Sequence, residues 1–262
     1  MKNRFNIFIA ITVLLFSSCD TLNKSGFNLP SPLGTASSGS STAQKSTADI
    51  SEKEAMTGVK EALNNGLQNS IQTLSKKDGF LGDAAVKILM PEEAKQVESA
   101  LRAVGLGSLC DQFIKSMNGA AETAVKEAST VFINSLSKLT VKDAFSILLS
   151  GQQNAATNYF KSNTSDELTN KFTPIIQGAM GKNKVDTYWN QLTTAYNKLP
   201  LSKKIETNLT SYVTQKAIDG LFLKVSEQEL SIRKNLQGSR NSNTLQKVFG
   251  WADKQQANSD SK

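Results

Sequence analysis

The chain has 262 residues, with 30 Lys and Arg against 23 Asp and Glu, 39% hydrophobic and 7% aromatic content, and no histidine. Without histidine it lacks the commonest general base near neutral pH, the Ser-His and Cys-His nucleophile pairs and the usual zinc ligand set. The net charge of +7 is scattered among Asn, Gln, Ser and Thr instead of forming a stripe, which describes a solvated surface and not a nucleic-acid footprint.

Residues 1–18 have the layout of a secretory signal. Lys2 and Arg4 make a positive head, Phe5 to Phe16 is an almost unbroken apolar run, and Ser17 and Ser18 lead into Cys19. The run is shorter than the roughly 20 apolar residues a spanning helix needs, so it is expected to be removed. Its small-small-Cys ending resembles the bacterial lipobox, with Phe16 where lipoboxes usually carry Leu. The resemblance implies that Cys19 is lipidated, becomes the new N-terminus and anchors the chain to a membrane. The competing reading is an ordinary secretory signal that contains a cysteine. Asp20 resembles an inner-membrane retention signal of some Gram-negative bacteria, and inner and outer membrane both stay open.

Residues 19–50, the lipidated terminus and linker, are rich in Ser, Thr, Gly and Pro, with Ser37-Ser38-Gly39-Ser40-Ser41 at the centre. Such a segment buries too little apolar surface to order itself, and a coil of this length spans about 30 Å. It reads as a tether.

An all-α domain is expected over residues 51–250. Ser51-Glu52-Lys53-Glu54 is a capping box, followed by Met56, Val59, Leu63, Leu67, Ile71 and Leu74 at helical spacing. Asp78-Gly79 ends this helix, and Phe80 to Met90 is an irregular connection. Pro91 opens a second helix with Glu92 and Glu93 in its first turn and Ala94, Val97, Leu101 and Val104 inward; Gly105 stops it. A long run from Ser108 to Leu139 bends near Lys126 to Ser129. Thr140-Val141-Lys142-Asp143 caps a short apolar helix closed by Gly151. Another short helix, Gln153 to Lys161, precedes one capped by Thr164-Ser165-Asp166-Glu167 and kinked at Pro174. Lys184 to Asn197 ends at Pro200, and a long helix runs from about Asn208 to Asn235. Last comes a turn of helix at Leu245 to Phe249, with residues 251–262 expected to be a polar tail, frayed from Asp253. Once Cys19 is acylated only Cys110 remains, so no intramolecular disulfide can form. Beside Leu109 and Phe113, Cys110 reads as a buried, inert thiol.

Six strings carry a resemblance together: Ala100 to Gly107, Ser116-Met117-Asn118, Ala155 to Phe160, Tyr212-Val213-Thr214, Lys216 to Phe222, and Val248-Phe249-Gly250. The chain resembles domain-of-unknown-function family 4197 over essentially all of residues 51–250. The resemblance implies an exported bacterial helical protein with no assigned activity and no catalytic residues to carry over.

Few constellations offer chemistry. Asp219 lies in an otherwise apolar stretch and, if buried, needs a cationic partner, with Arg233 and Arg240 the candidates. Asp143 and Tyr159, on consecutive short helices, form a second polar pair. Glu227 and Glu229 with Arg233 read as a solvated salt-bridge face. Gly105-Leu106-Gly107 lacks the strand and Lys-Ser/Thr of a phosphate loop. No cofactor or metal is expected. The leading expectation is a lipid-anchored, non-enzymatic envelope protein binding a protein partner or an apolar ligand between helices. The alternatives are a hydrolase or transferase working through carboxylates with Tyr, Lys or Arg, and a purely structural scaffold.

Overall fold

Two helix starts carry reciprocal caps. Ser51 and Thr140 each accept the backbone N–H of the residue three further on, while the carboxylates of Glu54 and Asp143 accept the cap residues' own N–H groups. Each satisfies donors that a helix start otherwise leaves orphaned. A computed structural model describes residues 49–199 and 207–260, within one compact unit. Cys19, the signal peptide, the linker to residue 48 and Pro200 lie outside the described residues.

Nine α-helices and no strand are present among the described residues: α1 (Glu52–Ser75), α2 (Lys95–Ala103), α3 (Gly107–Val125), α4 (Ala128–Lys138), α5 (Val141–Leu149), α6 (Ala155–Lys182), α7 (Val185–Tyr196), α8 (Leu209–Arg233) and α9 (Asn243–Asp260). The fold is all-α, as the periodicity requires. α8 packs against α1, α3 and α6 at once; α5 and α9 lie against α1, and α2 and α7 against α3. Phe132 of α4 meets Phe160 of α6 and Phe222 of α8 edge-on, with ring centroids 5.9 and 6.0 Å apart. Each such ring is worth roughly 1.5–3 kcal/mol of burial, with the edge-to-face geometry adding to that. Cys110 is fully buried, and burial pushes its thiol pKa up. No helix among the described residues is long and apolar enough to cross a membrane.

Three local expectations are corrected. The two helices expected either side of Thr164 are one, α6. Thr164 caps nothing: its hydroxyl donates to the Phe160 carbonyl at 2.7 Å, and Asn163 and Ser165 likewise donate to carbonyls four residues back. These polar side chains ride on the ladder without ending it. Val104, expected inward, is 54% exposed, because α2 stops at Ala103 and Gly105 turns the chain at φ +84°. The expected polar tail is helical instead, since α9 runs to Asp260. Ala252 is buried, Trp251 packs edge-on to Phe145 at 6.0 Å, and Gln256 donates to the Leu148 and Ser150 carbonyls at the end of α5.

Candidate functional site

The connection from α1 to α2 has no regular structure until a single 3-10 turn at Glu92–Ala94, yet side chains fasten it along its length. Asn118 of α3, fully buried, accepts the Ile88 N–H at 2.9 Å and donates to the Ile88 carbonyl at 2.8 Å. One amide thus replaces both bonds a strand neighbour would make. The Tyr212 hydroxyl of α8 donates to the Leu89 carbonyl at 3.0 Å. Lys224 bridges Asp83 at 2.6 Å and Glu227 at 2.8 Å, and Glu122 accepts the Phe80 N–H at 3.3 Å. The connection sits so close to α8 that a Cβ on Gly220 would lie 2.8 Å from a Phe80 ring carbon. Val86, Ile88 and Met90 consequently point in, and Lys87 and Leu89 point out.

Between this connection and α8 lies a groove of about 260 Å³ whose walls include Lys87, Leu89, Tyr212, Lys216, Asp219 and Leu223. Val86 and Met90 form its buried floor, whereas Leu89 and Leu223 are open, at 53% and 40% exposure. Lys216 lies over the Tyr212 ring, 5.8 Å from its centroid, and Gln215 donates to Asp219 at 3.1 Å. Glu92 and Lys95, also on the rim, pair at 2.7 Å. Lys87 and Lys216 have no carboxylate within ion-pair distance among the described residues. Burial, with the fields of Glu92 and Glu93, pushes the Tyr212 phenol up, so it stays protonated.

The other residues singled out in the sequence are placed elsewhere. Asp219 meets neither Arg233 nor Arg240; it is half-exposed on the groove wall, where its hydration removes the need for a cation. Arg240, 7% exposed, donates to the Ile232 carbonyl at 2.8 Å, to the Arg233 carbonyl, and to Asp253 at 2.6 Å, clasping the end of α8 to α9. Asp143 and Tyr159 do come together at 3.3 Å. The Thr140 hydroxyl and N–H hold the Asp143 carboxyl low, while burial and Asp143 push the Tyr159 phenol up. That pair extends a helix cap.

The residue that sequence reasoning missed is Glu229. Expected on a solvated face, it is only 8% exposed. Its carboxylate accepts the N–H groups of Ala156 and Thr157 at 2.9 and 2.8 Å, the Thr157 hydroxyl at 2.8 Å and the Arg233 guanidinium at 2.9 Å. Arg233 in turn donates to the Ile147 carbonyl at 2.7 Å, so one ion pair joins α5, α6 and α8. Asn154 makes no side-chain cap for α6, leaving those N–H groups to a partner from another helix. Nothing in the sequence hinted at it, since Asn154 is itself a favoured N-cap residue type. Beside this pair is a cavity of about 30 Å³, walled by Val59, Leu63, Val225 and Phe249 among others. That is room for a water and far below a ligand pocket of roughly 300 Å³ or more. No group of three or more Cys, Asp or Glu converges to hold a metal ion among the described residues.

The chain belongs to the family described as Protein of unknown function (DUF4197), whose model matches residues 49–250. Neither a curated protein nor a solved structure matches it. Several strings that carried the resemblance lie at the fastenings above: Asn118 against Ile88, Thr157 against Glu229, Tyr212 against Leu89, and Gly220 against Phe80.

Proposed function

We propose that the protein is a non-enzymatic binding module of the bacterial cell envelope, anchored through acylated Cys19 and held off the membrane by the linker that follows. The observation that carries this reading is how the polar side chains are employed. Glu229, Arg233, Arg240, Asp143 and Asn118 are all engaged as struts between helices or as caps, and the groove beside α8 brings open lysines and open leucines together on opposing walls. The small interior cavity favours a protein partner over an apolar ligand lodged between helices. A hydrolase or transferase reading would look to Tyr212, Lys216 and Asp219, which share the groove. The Tyr212 proton, however, is committed to the Leu89 carbonyl, and no nucleophile stands beside a base there.

Two measurements test the proposal. Labelling with a palmitate analogue is expected to mark the membrane-bound protein and to vanish in Cys19→Ala; a mature protein beginning at another residue rejects the anchor. Cross-linking in intact envelopes is expected to give a discrete protein adduct, and a chain that forms none is a spacer.

A further inference from the structure

We infer that the groove between residues 85–95 and α8 is the docking surface, and that its occupant is a protein segment presenting a carboxylate beside an apolar side chain. This rests on the binding-module reading and names the surface and chemistry that reading leaves open. Three observations support it.

The first is apolar. Leu89 and Leu223 line one groove from opposite walls while 53% and 40% exposed, and the fastened backbone holds them in place. Leu89 cannot turn inward, because Ile88 and Met90 fill the inward positions and Asn118 locks the register at Ile88. A surface that stays open without flexing binds at low ordering cost.

The second is charge. The rim carries Lys87, Lys95 and Lys216 against Glu92 and Asp219. Lys95 is satisfied by Glu92, whereas Lys87 and Lys216 lack a carboxylate. An incoming carboxylate would supply it and would be drawn in by their field.

The third is the position of Asp219. A bilayer of anionic lipid presents negative charge across the whole face, and Asp219 and Glu92 in the groove oppose that. A single carboxylate can sit at the lysines and avoid them, so the two acids select a discrete partner over a charged sheet.

The test places a photoreactive benzoylphenylalanine at position 89 of the full chain in its own envelope, with position 133 on α4 as the control, since Ile133 is 55% exposed and outside the groove. The expected result is an adduct at position 89 whose partner segment, read by mass spectrometry, holds Asp or Glu within a few residues of an apolar side chain. Its yield should fall about tenfold in Lys87→Glu/Lys216→Glu, the lower end of what electrostatic steering contributes. Both lysines are exposed and outside any ion pair, so an unchanged unfolding midpoint checks that the variant folds. Adducts to lipid, adducts to a segment without a carboxylate, or a yield indifferent to the charge reversal overturn the inference. Adducts at position 133 alone overturn the groove and leave the binding module standing; none at either position removes both.

Discussion

The Glu229 carboxylate accepts the Thr157 N–H at 2.8 Å across 72 residues of sequence, so that α8 supplies the cap that α6 lacks. Each of its oxygens has two donors, and Arg233 neutralises its charge. A buried carboxylate is tolerated only when satisfied in this way.

Glu229→Ala should therefore be among the most damaging single changes. It strands the Arg233 charge and two N–H groups, for an expected loss of about 3–5 kcal/mol. Urea unfolding measures it, and a loss under about 1 kcal/mol would contradict the cap. In a double-mutant cycle, Glu229→Ala and Arg233→Ala should be strongly non-additive.

Helix α1 approaches α9 through Gly58. A Cβ there would lie 2.7 to 2.9 Å from all three side-chain carbons of Val248. Ala is favoured over Gly within a helix by up to about 1 kcal/mol, but overpacking costs about 1–3 kcal/mol. Gly58→Ala should destabilise, and in a Val248→Ala background, which removes both Cγ atoms but keeps the Cβ 2.8 Å away, it should destabilise by less. Gly178→Ala, on α6 with nothing within 4 Å, should stabilise outright. Thermal unfolding distinguishes all three.

Asn118→Leu should free the connection while leaving the helices. It leaves the Ile88 N–H and carbonyl unpaired, at about 1–3 kcal/mol for each group that stays buried. Hydrogen exchange at Ile88 should quicken more than exchange in α8. Equal quickening in both would mean that the amide holds the whole domain.

Two glutamates should titrate stability in opposite senses. Burial raises the Glu122 pKa above its ordinary 4.5 in the folded state, so the fold binds that proton more tightly and loses stability as pH rises from 4.5 through the raised value. Glu122→Gln keeps an acceptor for the Phe80 N–H, and its unfolding midpoint at pH 8 should exceed the parent's. Glu54 is held down to about 2, chiefly by its hydrogen bond from Lys247. Its contribution is present above 4.5 and lost as pH falls towards 2. Lys247→Ala should flatten the acid limb between those values, measured as midpoint against pH.

Much of the architecture was legible in the chain. The stripe Val59, Leu63 and Leu67 is buried as its spacing requires, the boxes at Ser51 and Thr140 start helices, and the break between α3 and α4 falls at Lys126 and Glu127. The candidate site was much less so. Asp219 drew notice for its apolar neighbours, yet a turn of about 100° per residue sets it on the rim while Ile218 and Gly220 face in. Glu229 looked like any exposed acid four residues before an arginine. Arg240 was matched with the wrong carboxylate, because its true partner Asp253 lay in a stretch read as frayed.

Periodicity, caps and glycine stops act within a turn or two of the chain, so the residues alone determined the helices, the all-α class and the inward stripes. Which polar groups lose their water was decided only when α8 packed against α1, α3 and α6 together. Desolvation depends on every neighbour at once, and the donors that make it bearable come from helices far away in sequence. The groove has the same origin, since it exists only where Asn118 and Tyr212 pin an irregular connection beside α8.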